Sequence, residues 1–582
     1  MKESDLHLVQ KVENVSSALK KRDFQKVYNL LDLKKKDALQ PSAIFAALEN
    51  QKVPASLIRP LYFDLTKLAG SSAPLLEDLG NRWFRLNCFQ EAERCYEQVL
   101  STQPSRLGSI LGLVSCLFVF SRYGEARQLL EAARLVKPSE PRILTMLARV
   151  YLQHSETEEA LVSLQLAEEL GGKHARKDGM LFVQSLAYLP DVTGEDLKEA
   201  GEEWEMTYAR PVDKQPLRKI DSRIRVGYYS PDLRNHSVAY FLRPIFREYD
   251  RSKFEVFVYS DTRATDHVTK EFHEYTNHWR DLIDKSDKEV VQLMKKDELH
   301  LLIDCTGYFG ESRPWIFASR PAPVQAHLIG YNGTTGLSSL DYRFSDSICD
   351  PPSYASQSSE QVVALEDGFL CFNQEPELAD LGEGSVPCIE AGFLTFGCFN
   401  NPVKLNDEVI EVWVRILKEI PQSRLLLKLG AEEDLASNER MRARFESFGL
   451  QNDQLKLIPR RLSKKEHIED HRLIDIVLDP FPVNGTTTTF ESLWMGVPVI
   501  TLQGGRHSAR VTSSILECVG LAEGITQSKE EYIDRAIEWA KSPEQLQIWR
   551  KSLRTQLSDS PMGDSVGYTR RLEAAYREIT SP

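Results

Sequence analysis

Residues 474–502, IDIVLDPFPVNGTTTTFESLWMGVPVITL, open on an apolar β-rich run, turn at Gly485 into four threonines, continue with helical spacing and end on a second β-rich run. The order strand, turn, helix, strand predicts part of a parallel sheet wrapped by helices. A glycine ahead of a helix N-terminus leaves backbone N–H groups unpaired at the positive end of the helix dipole. Thr486, Thr487, Thr488 and Thr489 add hydroxyls, so the amides and hydroxyls from Gly485 to Thr489 suit a diphosphate. Glu491, one turn further on, has the chemistry to accept hydrogen bonds from ribose hydroxyls. A threonine run in isolation more often just caps its helix, so the surroundings have to decide.

The surroundings extend the pattern in both directions. FLTFGCFN, SRLLLKLG and LKLIP precede IDIVLD, and further upstream IRVGYYS, FEVFVYS, HLLIDCTG and VQAHLIGY form an earlier series, each run separated from the next by amphipathic sequence. Two doubly wound lobes in succession are expected, residues 223–390 and 391–582, with a ligand crevice between the carboxyl ends of their strands. A polar, proline-containing stretch near 351–391 suits the connection, and SVGYTRRLEAAYREI from Ser565 reads as a final amphipathic helix of the second lobe.

Residues 73–174 have a different period, 34 residues. Leu79, Leu113 and Leu147 share one column, Trp83, Leu117 and Tyr151 the next, then Ala92, Ala126 and Ala160, then Tyr96, Leu130 and Leu164. Large residues facing a small alanine at fixed offsets are what two antiparallel helices per repeat require, a pattern similar to the tetratricopeptide repeat. Such repeats serve either as a spacer or as a concave groove for peptide, and the groove is favoured. Residues 1–72, with VSSALKKRDFQKVYNLL, are expected to be helical as a divergent repeat or cap, and 175–222 a helical linker.

Composition narrows the function classes. A net charge of −13 without a basic block argues against nucleic acid as partner. The N-terminus lacks a signal-peptide pattern, and Ile110–Phe120, the longest apolar run, is too short to span a bilayer, so a cytoplasmic protein is expected. Nine cysteines without a CxxC pair fit reduced buried thiols.

NHSVAYFL, RPAPVQAHLIGYNGTTGL, DYRFSDSICDPP, FGCFNNPVKL and PFPVNGTTTTFESLWMGVPVITL together resemble, in order, the catalytic region of the O-GlcNAc transferase and SPINDLY family, over the 360 residues from Arg223 onward. The resemblance implies a GT-B fold of two Rossmann-like lobes and inverting transfer from a nucleotide sugar to Ser or Thr of acceptor proteins gathered by the repeat arm. By the same match His236 lies near the transferred sugar as base or relay, and Lys404 contacts the leaving diphosphate. Gly330, Tyr331, Gly333 and Thr334 form a turn beside the sugar, and Lys464 and His467 lie at the nucleotide base. Taken alone, a histidine after asparagine is an ordinary turn residue, and SKKEHIEDH a solvated helix.

His467 and His471, at i and i+4, lack a third metal ligand, and no DxD triplet occurs. Metal-free catalysis with no cofactor beyond the nucleotide-sugar co-substrate is therefore expected. Thr486, Glu491 and Tyr240 stand where animal members carry histidine, aspartate and histidine. These positions sit closer to SPINDLY, whose plant members use GDP-fucose, so UDP-GlcNAc and GDP-fucose both stand as donors. The competing readings are a repeat scaffold with an inactive transferase lobe and a transferase acting on lipid or small-molecule sugar, which the repeats disfavour.

Overall fold

The computed structural model describes residues 72–581 apart from 173, 373–377, 379–380, 452 and 462, together with 14, 18, 58–60, 62, 63 and 66. The expectation of a helical cap over 1–72 lies almost wholly outside these residues. The chain divides into two compact units, residues 1–150 with 433–436, and residues 151–432 with 437–582. Among the described residues no helix is long and apolar enough to cross a membrane, and all nine cysteines are free thiols.

The repeats are helix pairs of fixed dimensions: Ala73–Arg85 with Phe89–Thr102, Leu107–Val119 with Tyr123–Val136, and Pro141–Gln153 with Thr157–Glu169. Each pair begins 34 residues after the one before. Ala92, Ala126 and Ala160 are fully buried, as close helix contact demands. In the first unit Tyr96 fills the space two glycines leave, since a Cβ on Gly80 would stand 2.7 Å and one on Gly112 2.3 Å from its ring. The turn inside each pair passes through a left-handed residue, Asn87, Ser121 or Ser155, at φ of 58, 57 and 60°. The repeat thus preserves a backbone conformation as well as a side-chain pattern.

The second unit holds two parallel sheets. The first runs in the order β3-β2-β1-β4-β5-β6-β7, with β1 Ile224–Ser230, β2 Phe254–Ser260, β3 His278–Asp281, β4 Leu301–Asp304, β5 Val324–His327, β6 Tyr342–Ser345 and β7 Gln361–Ala364. The second runs β10-β9-β8-β11-β12-β13, with β8 Thr395–Cys398, β9 Arg424–Leu429, β10 Leu455–Pro459, β11 Ile476–Leu478, β12 Val499–Leu502 and β13 Ile525–Thr526. Both follow the doubly wound order in which the strand sequence reverses beside the first strand, which puts their switch points at β1/β4 and β8/β11. The central strands are buried on both faces and read as mainly apolar runs, β9 interrupted by Lys428.

Three expectations need revision. The stretch 351–391 is only in part a connection, because β7 within it pairs with β6 and finishes the first sheet. The final helix, Ser565–Thr580, belongs with the first lobe: Tyr576 packs edge-on against Phe344 and Phe254, and its hydroxyl lies 3.0 Å from that of Tyr228. Burying Tyr568, Leu572 and Tyr576 there is what brings the chain back. The helices of the expected linker, Ala175–Leu186 and Gly194–Tyr208, are packed elements. Glu205 accepts from the Ser338 and Ser339 amides at 2.8 and 3.1 Å, and a Cβ on Gly201 would stand 2.2 Å from the Thr335 carbonyl.

Candidate active site

The loop after β11 is built from its strand end. Asp479, fully buried, accepts the Gly485 N–H at 2.7 Å and the Thr501 hydroxyl at 2.8 Å. A Cβ on Gly485 would lie 2.5 Å from Thr489 Oγ1 and 2.9 Å from Asp479 Oδ1, so only glycine lets the loop close on the carboxylate. Burial raises the Asp479 carboxyl to about 6, against the pull of Lys404 and these donors. The helix Thr487–Trp494 follows, and Thr486 at its N-cap makes no capping bond. The threonine hydroxyls go elsewhere: Thr486 accepts from Asn332 Nδ2 at 3.2 Å, Thr488 donates to Asn400 at 3.0 Å, and Thr489 pairs with Thr512 at 3.1 Å. Simple capping is therefore not what the threonines do. The first helical bond is from the Phe490 N–H to the Thr486 carbonyl, so the amides of Thr487, Thr488 and Thr489 stand ahead of the helical ladder with the dipole behind them. The Gly485 amide, expected in that set, is committed to Asp479 instead.

Lys404 ends a short 3₁₀ turn, Pro402–Lys404, that follows β8 and is capped by Asn401. Its ammonium donates to Asn400 Oδ1 at 2.9 Å and to the Asn484 carbonyl at 2.7 Å, which leaves one of three N–H groups for a ligand. Burial lowers its pKa, and the Asp479 carboxylate opposes that. Lys404 and the threonine loop thus meet at the switch point of the second sheet.

From the first lobe, His236 caps the helix Ser237–Glu248 that follows β1, and its Nδ1 accepts from the Val238 N–H at 3.4 Å. A neutral ring held this way carries its proton on Nε2, which lies 4.0 Å from Asp232 Oδ1. Desolvation, and then Arg234, Lys464 and Arg460, keep its pKa below the usual histidine value against the pull of Asp232. Tyr240, one turn on, stacks on Phe372 with ring centroids 4.9 Å apart and takes the Lys464 ammonium 3.7 Å above its ring. Its hydroxyl donates to Glu491 Oε1 at 3.4 Å, and His467 Nε2 lies 3.1 Å from Glu491 Oε2. Burial raises the Glu491 pKa, but His467, His471 and Lys464 outweigh it and hold the group ionised.

His236, Lys404, Lys464, His467, Thr486–Thr488 and Glu491 are therefore gathered around the two switch points. The turn Gly330–Gly336 divides. A Cβ on Gly333 would meet nothing within 4 Å, whereas one on Gly330 would stand 2.5 Å from the Cys305 carbonyl. Tyr331 is buried edge-on against Tyr308, and the Thr334 hydroxyl is bound to buried Glu360 at 2.7 Å. Thr334 thus satisfies the interior of the first lobe, while the buried Tyr331 hydroxyl has no hydrogen-bond partner among the described residues. His467 and His471 do not converge on a common point: their rings are perpendicular, His467 is engaged by Lys428 and Glu491, and His471 Nδ1 is bonded to the Ile468 carbonyl at 3.1 Å. Asn332, Asn400, Lys428 and Asp479 were not anticipated from sequence. A lysine inside the apolar strand SRLLLKLG, and polar residues directly after strand ends, are the signals that point to them.

Residues 205–386 and 389–572 match the family described as glycosyl transferase family 41. The chain is 34% identical over 413 residues to a Petunia hybrida protein described as probable UDP-N-acetylglucosamine–peptide N-acetylglucosaminyltransferase SPINDLY, covering 70% of this chain and 44% of that protein. It is 33% identical over 370 residues to the Arabidopsis thaliana protein similarly described and named SEC, covering 61% and 37%. A variant of the O-GlcNAc transferase of Thermobaculum terrenum superimposes with a TM-score of 0.80 at 30% identity, covering 87% of this chain and 97% of that one. The chain spans less than half the length of these plant relatives.

Proposed function

The chain belongs to glycosyl transferase family 41, and from that premise we propose that it is a protein O-glycosyltransferase taking its sugar from a nucleotide diphosphate. The observation that carries the reading is the uncapped first turn of Thr487–Trp494 facing Lys404, a set of donors poised for a diphosphate. A Ser or Thr hydroxyl of the acceptor attacks the anomeric carbon from the face opposite the diphosphate and gives up its proton to solvent water. The bond from that carbon to the diphosphate oxygen breaks, with inversion. Lys404 and the loop amides take up the charge on the leaving group, and this chain's own groups supply that stabilisation without a cofactor or metal.

His236 acts in this scheme as a hydrogen-bond donor through Nε2, to the sugar or the diphosphate, since its acceptor nitrogen is engaged by Val238. Glu491 accepts from the ribose. Acceptor proteins are gathered by the repeats. The plant relatives are described as probable UDP-N-acetylglucosamine–peptide transferases, which puts UDP-GlcNAc first as donor, and the SPINDLY-like positions Tyr240, Thr486 and Glu491 keep GDP-fucose beside it.

The test is incubation of the full chain with labelled UDP-GlcNAc and, separately, labelled GDP-fucose, in the presence of cell extract. Label in the protein fraction, lost in Lys404→Ala, is the expected result. Absence of hydrolysis, self-modification and transfer with both donors would make the protein a repeat scaffold, and label in lipid alone would make it a different transferase.

A further inference from the structure

Strand β9 opens on Arg424 and carries a second charged side chain inside its run of leucines, and this one is buried: the Lys428 side chain is 5% exposed. Its ammonium lies 2.9 Å from Asp470, 2.8 Å from His467 Nδ1 and 3.4 Å from the His467 carbonyl, with the Phe399 ring 4.2 Å away. A buried ammonium is costly unless every proton is used. Asp470 does not require this one, because Arg461 already binds both its oxygens at 3.0 and 3.2 Å. What the lysine alone supplies is the donor to Nδ1. An ammonium can only donate, so His467 Nδ1 accepts and the ring proton sits on Nε2, facing Glu491 Oε2 at 3.1 Å. The Tyr240 hydroxyl holds the other carboxylate oxygen.

We propose that Lys428 is a positioning residue: it fixes His467 as the Nε2–H tautomer and, through it, fixes the Glu491 carboxylate in the orientation that receives the donor nucleotide. The proposal rests on reading the crevice as a nucleotide-sugar site. Without the ammonium the ring is free to carry its proton on Nδ1. Its Nε2 lone pair then opposes the lone pairs of Glu491, and the carboxylate turns away.

The test uses Lys428→Met and Lys428→Arg in the full chain, with UDP and GDP titrated separately by calorimetry. For the nucleotide that binds, Kd rises roughly tenfold in Lys428→Met, the scale of one charge-assisted hydrogen bond, and is partly restored in Lys428→Arg. In transfer assays donor KM rises while kcat stays near that of the natural protein. Nitrogen-15 spectra of histidine-labelled protein, with the His467 signals identified by their loss in His467→Gln, report the proton on Nε2 in the natural protein and a mixture in Lys428→Met. A proton on Nδ1 in the natural protein, or an unchanged Kd in Lys428→Met, overturns the proposal. Should Lys428→Met not fold, the tautomer of the natural protein and the Kd of Lys428→Arg decide. Glu491→Gln separates the two levels. If it weakens nucleotide binding and Lys428→Met does not, only the role of Lys428 fails, whereas an unchanged Kd in Glu491→Gln removes the donor-site reading itself.

Discussion

The turn Gly330–Gly336 and the loop Gly485–Thr489 are composed alike, glycine followed by threonines after a β-strand, yet they end in opposite states. In the first, Thr334 and Thr335 spend their hydroxyls on Glu360, whose carboxylate also takes the Thr335 amide at 2.8 Å and the Ser358 hydroxyl at 2.9 Å. Both threonine side chains turn inward, and of this turn's side chains Asn332 reaches across to the Thr486 hydroxyl at 3.2 Å. In the second, a buried carboxylate again closes the loop, but of the loop amides Asp479 takes that of Gly485, its other oxygen going to the Thr501 hydroxyl, and the next amides are left at a helix N-terminus. The same residue types build a seal where a glutamate faces them and an anion site where a helix begins behind them.

The comparison can be broken at several points. The largest effect is expected of Lys404→Ala, which removes the cation beside the second loop: transfer should fall about 10²–10³-fold with the circular dichroism spectrum unchanged, and near-normal turnover would take the lysine out of the mechanism. Next is Glu360→Gln, which leaves the first loop's donors facing an amide. Urea unfolding should show a loss of about 3 kcal/mol, with nucleotide affinity of the folded protein intact. A loss of affinity without a loss of stability would make the first loop a ligand site after all.

Asp479 gives a pH signature. Its carboxyl titrates at about 6 in the folded chain against an ordinary value of 3.8, so between these values the folded state binds more protons than the unfolded one. Stability therefore falls as pH rises through that window, by about 2 kcal/mol, and Asp479→Asn should flatten the slope in pH-dependent denaturation. The smallest effect is expected of Gly485→Ala, whose Cβ crowds Thr489 and Asp479: nucleotide affinity should weaken about tenfold in a thermal-shift titration, as for one overpacked contact.

What was legible in the sequence follows from burial. Strands covered on both faces, such as β1, β2, β8 and β9, appear as mainly apolar, β-rich runs, and the repeats appear as columns because Ala92, Ala126 and Ala160 must be small. Of the edge strands, β10 was legible as LKLIP, and the other three were not. HWRD of β3 and QVVA of β7 are half-exposed, so their sequences carry no apolar run, and β13 is two residues long. At the site, the threonine loop is legible because it follows a strand end and opens a helix, whereas His236 and Lys404 are legible only through the resemblance of NHSVAYFL and FGCFNNPVKL to the family. The partition of GYNGTTG into an open Gly333 and a buried Tyr331 was not, since it depends on Glu360 and Tyr308, distant in sequence. The placement of the final helix escaped for the same reason: its amphipathic pattern says that it packs, not against what.

That helix sets a timetable for synthesis. β7, the last strand of the first sheet, ends at Ala364, and the helix that covers Tyr228, Phe254 and Phe344 begins at Ser565. At roughly 5–20 residues per second the ribosome needs about 10–40 s to cover that interval. For all of it the first lobe exists with an aromatic patch uncovered, and the second lobe is completed before the first can be. A nascent chain of this protein thus presents a defined apolar surface to chaperones until the helix Ser565–Thr580 leaves the exit tunnel, and a premature stop between β7 and that helix leaves the surface bare.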